Sequence, residues 1–271
     1  MKVLLTPRIE GFGGSRWLKP IASTRALAAV VFVFLASAAW AQAAAPAAQA
    51  SVMSVLWKWA PLIFQGFLFN LLVSVGTMAL GTVLGVFLGL AQVSPYRGLR
   101  RAAWAITQFF RNAPWLVLLF YAMLILPFQI GPVALPSWLK AVIGLSLPVM
   151  GNIAEIVRGG VLSIPTGQWE SAEALAFSRR QILWMIILPQ AVKRMIPPWM
   201  NQYAILTMAT TLISIVGIQD GLTMTRAALV AEARTDLLVP MYLMLLLMFF
   251  VYCYPIARAT LSLERRFAVK I

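Results

Sequence analysis

Histidine is absent from this 271-residue chain and cysteine occurs once, at Cys253. A histidine general base, a His/Cys metal cluster and an intramolecular disulfide are therefore excluded by count. Acids are scarce too, with 8 Asp+Glu against 22 Lys+Arg. Charged residues make up 11% of the chain, whereas a soluble domain carries about 25%, so a soluble globular enzyme is ruled out. No Gly-x-x-x-x-Gly-Lys-Ser/Thr loop occurs anywhere, and the chain cannot cradle ATP in the usual way.

What fills the chain instead is apolar: 61% hydrophobic residues and a mean hydropathy of +0.85. A helix crossing the hydrocarbon core needs about 20 mostly apolar residues. Six stretches meet that requirement: Leu27 to Ala45, Phe64 to Ala91, Pro114 to Ile130, Leu139 to Ile156, Met195 to Ile218 and Leu238 to Ala257. With the N-terminus cytoplasmic, 18 of the 22 basic residues fall inside and only Lys58, Lys140, Arg226 and Arg234 fall outside. That asymmetry is the positive-inside pattern, it places the C-terminus in the cytoplasm, and it explains the net charge of +14 without nucleic acid.

The first stretch has two readings, because basic residues precede it and Ala41-Gln42-Ala43 resembles a cleavage site. It is a signal peptide or an extra span. In both cases residue 46 lies outside, and Ala43 to Ala50 reads as a linker. The expected division is a basic N-terminal segment over 1–50 and a membrane domain over 51–271, with a cytoplasmic loop at 158–194.

Within the second span Thr77, Gly81, Gly85 and Gly89 recur every four residues, so a neighbouring helix can approach closely. That neighbour is either in the same chain or in another subunit. Polar groups in a membrane must be paired or wetted. Asn70, Asn152, Asn201, Gln202, Thr207, Thr210 and Thr211 therefore line a cavity or join helices by hydrogen bonds. Glu155 and Arg158, three residues apart on one helical face, form a local pair. Pro197-Pro198 is expected to open the fifth span.

Between Arg158 and Arg194 the pattern changes. Gly159-Gly160 is expected to break the fourth helix, and Ile164-Pro165-Thr166-Gly167 to make a turn. Gln168 to Leu175 then reads as a short helix with Glu170 and Glu173 in its first turns, where the helix dipole favours acids. Ser178 and Gln181 have capping-box spacing and start a second helix containing Arg179-Arg180.

These residues carry a resemblance. Ala154-Glu155-Ile156-Val157-Arg158-Gly159-Gly160, Ile164 to Ala172 and Ile187-Leu188-Pro189-Gln190-Ala191 look like the membrane permease subunit of bacterial polar amino-acid ABC importers. That family's signature is Glu-Ala-Ala, Gly four residues later, and Leu-Pro. It is matched by Glu170-Ser171-Ala172, Ala176 and Leu188-Pro189. Phe110 to Pro114, Pro197-Pro198, Asn201-Gln202-Tyr203 and Ser214 to Gly217 are similar to further family motifs in the same order, so the likeness runs from Phe64 to the C-terminus.

The resemblance implies an all-α membrane protein with the five-helix core of the type I importer permease, preceded here by the N-terminal hydrophobic segment. It implies a multi-pass subunit of the bacterial inner membrane that pairs with a second, identical or homologous permease and receives its amino acid from a periplasmic binding protein. A cytoplasmic ATPase dimer would hold ATP and Mg, leaving this chain without cofactor, metal or catalytic residues, surrounded by membrane lipid. Gln168, Trp169, Glu170, Ser171, Ala172, Glu173, Ala176, Ser178, Arg179, Arg180, Leu188 and Pro189 would belong to the ATPase-coupling loop, and Asn70, Asn152, Asn201, Gln202, Thr207 and Thr210 to the substrate pathway.

Four positions depart from the family pattern. Ala176 stands where the signature has Gly, Ser171 replaces Ala, and Met208-Ala209 replaces a polar pair in the fifth span. The last departure suggests a non-identical partner permease. An ion-gradient-driven transporter or channel is the alternative class, and it is disfavoured because Glu155, already paired with Arg158, is the one acid that comes close to lying within the spans.

Overall fold

Small side chains at four-residue spacing settle which helices lie at the centre. The computed structural model describes residues 50–267 apart from 128, 131 and 132, together with 28–29, 32–33, 35–37 and 39–40. Most of the expected first span and the Ala-rich linker, and with them the cleavage site, lie outside the described residues.

Helix α1 runs Val52–Gln92, and the Ser51 hydroxyl caps its start by accepting from the Ser54 amide at 3.2 Å. It is longer upstream than the apolar stretch beginning at Phe64. The added turns have a partner: Val52, Val55 and Leu56 are buried with Ala228, Leu237 and Met241. Helix α4 (Ser137–Leu162) lies along α1. Added Cβ atoms at Gly81, Gly85 and Gly89 would fall 2.5, 2.6 and 2.6 Å from the side chains of Val149, Ile153 and Val157. The small-residue stripe is thus used inside the chain.

The expected span Pro114–Ile130 is a broken pair instead. Helix α2 (Arg97–Asn112) and the 11-residue α3 (Trp115–Ile125) meet at 103°. Pro114 holds Ala113 in extended backbone, where no helix continues. At about 1.5 Å per residue α3 alone is too short to cross. A two-stranded hairpin, β1 (Gln129–Ile130) antiparallel to β2 (Val133–Ala134), leads into α4.

Helix α4 also corrects the sequence reading, since Gly159-Gly160 does not end it. Gly160 lets Met195 close onto the helix, where a Cβ would sit 2.5 Å from the Met195 Cγ. The helix α5 (Thr166–Ala174) follows, then the single turn α6 (Arg179–Gln181), a π segment over Ile182–Ile187, and α7 (Leu188–Ala209). Pro197-Pro198 lies within α7 and does not begin it. A 3-10 stretch (Thr210–Val216) leads through Gly217, at φ +80°, to α8 (Gly221–Glu232), and α9 (Leu238–Phe267) closes the fold.

Three helices are individually long and apolar enough to cross a membrane, and five crossings result when each bent pair is taken as one. At one end of the bundle Glu232 accepts from Lys58 Nζ and Trp59 Nε1, both at 2.7 Å, while Arg234 pairs with Asp236 at 2.5 Å. Lys58 and Arg234, two of the four cations assigned to the outside, are therefore neutralised locally.

Candidate functional site: an exposed loop with its own core

The 158–194 region folds as a small unit at the other end of the bundle. Val161 and Ile164 from the end of α4, Ala172 from α5, Ile182 and Ile187 from the π segment, and Ala191 from α7 are buried together. Val93, just past α1, packs on the same cluster. Ala172 is the buried residue of α5, so the Glu-Ser-Ala triplet turns only its last member inward. Gln168, Glu170, Ser171, Glu173, Ser178, Arg179 and Arg180 are exposed, Trp169 is half-buried, and Leu175 is 73% exposed.

The turn between α5 and α6 has Schellman geometry. The Ala176 amide donates to the Glu173 carbonyl at 2.9 Å and the Phe177 amide to the Ala172 carbonyl at 3.2 Å. Ala176 sits at φ +59°, the left-handed conformation where glycine is the ordinary residue and a Cβ costs about 1 kcal/mol. Phe177 folds back onto the loop core, the apolar contact that accompanies this turn. Past it, the Ser178 hydroxyl accepts from the Gln181 amide at 3.4 Å, and the Ser178 amide donates to Gln181 Oε1 at 2.9 Å. The expected capping box is present.

One expectation fails in detail. Helix α5 begins at Thr166, so Glu170 lies past its first turn, which contains no acid. Dipole stabilisation is not what places Glu170 there. Beyond Gln181, the Leu188 amide reaches back five residues to the Leu183 carbonyl. Pro189, which has no amide hydrogen, follows directly. A π turn is the arrangement that tolerates a missing donor at that point.

Two side-chain contacts tie the loop to the spans. Arg194 donates to the Ser163 carbonyl, and Gln190 Nε2 lies 3.5 Å from Gln168 Oε1. Glu155 is paired with Arg158 as the spacing implied, and Arg111 adds a second cation at 3.8 Å that the sequence reading did not connect.

The polar positions in the spans divide into groups. Asn70, fully buried, donates through Nδ2 to Thr210 Oγ1 and to Asp220 Oδ2, both at 3.1 Å, and accepts the Gly221 amide at 2.9 Å. Thr210 in turn donates to the Thr207 carbonyl at 2.7 Å. These three residues use their polar groups at a junction of α1, α7 and α8. Asn152, Asn201 and Gln202 are not brought into it, and buried Gln202 has no partner for its Nε2 among the described residues. Asp220 was missed. It is fully buried and caps α8, accepting from the Thr223 amide at 2.9 Å and hydroxyl at 2.8 Å. An Asp before Gly with Thr three residues on is a helix-start pattern that could have revealed it. Also missed was a chain of hydroxyls, Ser74 to Tyr203 at 3.3 Å and Tyr203 to Tyr252 at 2.8 Å, joining α1, α7 and α9.

Comparison with known proteins adds an independent line. Residues 81–269 match the family model for the binding-protein-dependent transport system inner membrane component. The chain is 31% identical over 250 residues to the glutamate/glutamine/aspartate/asparagine transport system permease protein BztC of Rhodobacter capsulatus, covering 89% of this chain and 56% of that one. It is 30% identical to the inner membrane amino-acid ABC transporter permease protein YhdY of Escherichia coli, covering 68% and 50%. The chain thus spans about half the length of these two relatives. Against the "Probable amino-acid ABC transporter permease protein" YckA of Bacillus subtilis the identity is 33%, over 77% of this chain and 90% of the other. In fold it is similar to a chain from the crystal structure of an amino acid ABC transporter with histidines, with a TM-score of 0.70 at 22% identity, covering 80% and 99%. A chain of the inward-facing MetNI methionine ABC transporter gives 0.64 at 21% identity, covering 77% and 97%.

Proposed function

The chain belongs to the binding-protein-dependent transport system inner membrane components, among the amino-acid ABC transporter permeases, and from that premise we propose that it forms half of the translocation pathway for a polar or charged amino acid. Energy comes from a separate ATPase dimer that binds ATP and Mg. The coupling element is the loop over 165–180, which faces the cytoplasm together with the C-terminus.

The observation that supports this best is the construction of that loop. Its core is continuous with the ends of α1, α4 and α7, so a push on α5 reaches three spans at once. Its outer surface offers Glu170, Ser171, Glu173 and Leu175 to a partner. In the same reading Gln168, Trp169, Ala172, Ala176, Ser178, Arg179, Arg180, Leu188 and Pro189 shape or flank the contact. Asn70, Asn152, Asn201, Gln202, Thr207 and Thr210 belong to the pathway wall. A periplasmic binding protein delivers the amino acid, and a second permease completes the channel. Met208, 51% exposed near the end of α7, is the position where a polar residue on a non-identical partner permease would compensate. In the same reading 1–50 is a basic N-terminal segment, a signal peptide or an extra span with its linker, and 51–271 is the membrane domain. An ion-gradient-driven transporter is the weaker reading, because the relatives are ABC permeases.

The test is affinity purification of the tagged chain expressed with its neighbouring genes, identification of its companions by mass, and an ATPase assay with and without the binding protein. Co-purification of an ATPase, with activity raised by the binding protein, is expected. Purification of the chain alone in mild detergent would remove the coupling reading.

A further inference from the structure

Helix α2 is amphipathic in three directions. Ala103 and Thr107 are buried against the bundle. Leu99, Ile106 and Phe109, on one flank, are 51%, 44% and 65% exposed. The other flank carries Arg97, Arg101 and Gln108, and among the 16 residues of α2 there are four arginines and no acid. Since α2 meets α3 at 103°, the two cannot both run along the membrane normal, and the four arginines of α2 favour it, rather than the wholly apolar α3, as the one lying along the membrane surface. Its apolar flank then enters the acyl region and its basic flank faces the headgroups.

Where α2 meets the ends of α1 and α4 there is a cleft of about 240 Å³ lined by Gln92, Arg100, Arg101, Trp104 and Arg158. It lies at the same end of the bundle as the loop core, one residue from Val93. Arg158 is held by Glu155, which also has Arg111 at 3.8 Å, so the single acid here is shared between two cations. Arg100 donates to the Ser94 carbonyl at 3.3 Å. Arg101 has no ion pair or hydrogen bond among the described residues. The cleft wall is thus left with an excess of positive charge. At its base Gln92 is 3% exposed; its Nε2 donates to Thr107 Oγ1 at 2.9 Å, and its buried Oε1 has no donor among the described residues.

We propose that this cleft is a headgroup site for an anionic phospholipid carrying a hydroxylated headgroup, of phosphatidylglycerol chemistry. Arg100, Arg101 and Arg158 hold the phosphate, which guanidinium groups match in geometry and charge. Trp104, 55% exposed on the cleft wall, adds an indole ring of the kind enriched at membrane–water interfaces. A headgroup hydroxyl supplies the donor that Gln92 Oε1 lacks, and the acyl chains follow the apolar flank of α2. Basic pockets of this kind between membrane helices are suited to acidic headgroups. The proposal takes from the functional reading only the choice of the cytoplasmic leaflet. Binding in detergent is blind to orientation, so its outcome is separable from the coupling experiment.

The test is native mass spectrometry of the full chain, purified with the subunits it carries, titrated with phosphatidylglycerol and with phosphatidylethanolamine of identical acyl chains. Phosphatidylglycerol should bind at least tenfold more tightly. Arg100→Gln with Arg101→Gln should abolish that preference, and Arg97→Gln, outside the cleft on the same helix, should change it less than twofold. If the double variant does not fold, Arg101→Gln alone should lower phosphatidylglycerol affinity at least threefold. Equal binding of the two lipids, or an unaltered preference in the folded variants, overturns the proposal. Displacement of phosphatidylglycerol by millimolar inorganic phosphate would assign the cleft to free phosphate and overturn it too.

Discussion

Asn70 and Asp220, 150 residues apart, meet at 3.1 Å in a junction with no exposed surface on either residue. Asn70 supplies the donor that Asp220 Oδ2 needs, while its own oxygen takes the Gly221 amide at 2.9 Å. Gly66 makes this approach feasible, because a Cβ there would fall 2.7 Å from the Gly221 nitrogen. The neighbouring helix ends are locked by one side chain reading both faces of a helix start.

Asn70→Ala should therefore destabilise the folded subunit by about 3 kcal/mol, the scale for stranding a buried carboxylate oxygen. Thermal unfolding in detergent measures this. Asp220→Asn in the Asn70→Ala background should recover part of the loss, since the stranded group is then neutral. No recovery would show that the charge is not the cause.

Ala176→Gly should stabilise the loop by about 1 kcal/mol, because the φ of +59° no longer opposes a Cβ. Slower amide exchange at Ala176 and Phe177, whose amides close the turn, is the expected readout. Ala176→Val should speed exchange at the same positions.

Glu170→Ala and Leu175→Asp alter exposed side chains, and surface changes of this kind usually stay within about 0.5 kcal/mol of the parent stability. Both should leave the unfolding midpoint in place while reducing ATPase co-purification and binding-protein-stimulated hydrolysis at least fivefold. Ala172→Asp, by contrast, should disturb the fold itself, since Ala172 is in the loop core.

Gly85→Val should prevent close pairing of α1 with α4, as its Cβ would overlap Ile153 at 2.6 Å. A loss of several kcal/mol is expected for an enforced backbone shift of this kind, beyond the usual overpacking cost of about 1–3 kcal/mol. Gly98→Val, on a glycine whose added Cβ would meet no atom within 4 Å, serves as the control on β-branching in a helix. Expression yield and the size-exclusion profile distinguish the two.

The apolar helices α1, α4 and α9, the Ser178–Gln181 capping box and the Glu155–Arg158 pair were legible because each is a local pattern. The departure at Ala176 from the signature glycine was visible in the sequence, but that its backbone is left-handed all the same came from the structure. What escaped was set by distant partners. Gly159-Gly160 reads locally as a break, yet Met195, 35 residues on, packs into the space that Gly160 leaves open. Pro197-Pro198 reads as a start, yet helix persists through it from Leu188. Asp220 escaped because the partner that marks it as buried, Asn70, is 150 residues away. The segment at 97–112 lay between the expected spans, and its packing on α1 and α4 is what shows it as the helix α2.

Helix α1 touches three levels of the molecule: the Lys58–Glu232 pair at one end, the Asn70 junction, and, just past its other end at Val93, the loop core. At about 1.5 Å per residue, Asn70 stands about 27 Å from one terminus and about 33 Å from the other. A helix pinned there is a lever with nearly equal arms. A tilt of α1 about Asn70 moves its two ends in opposite directions by similar distances, so one buried residue relates the position of the Lys58–Glu232 pair to that of the loop core.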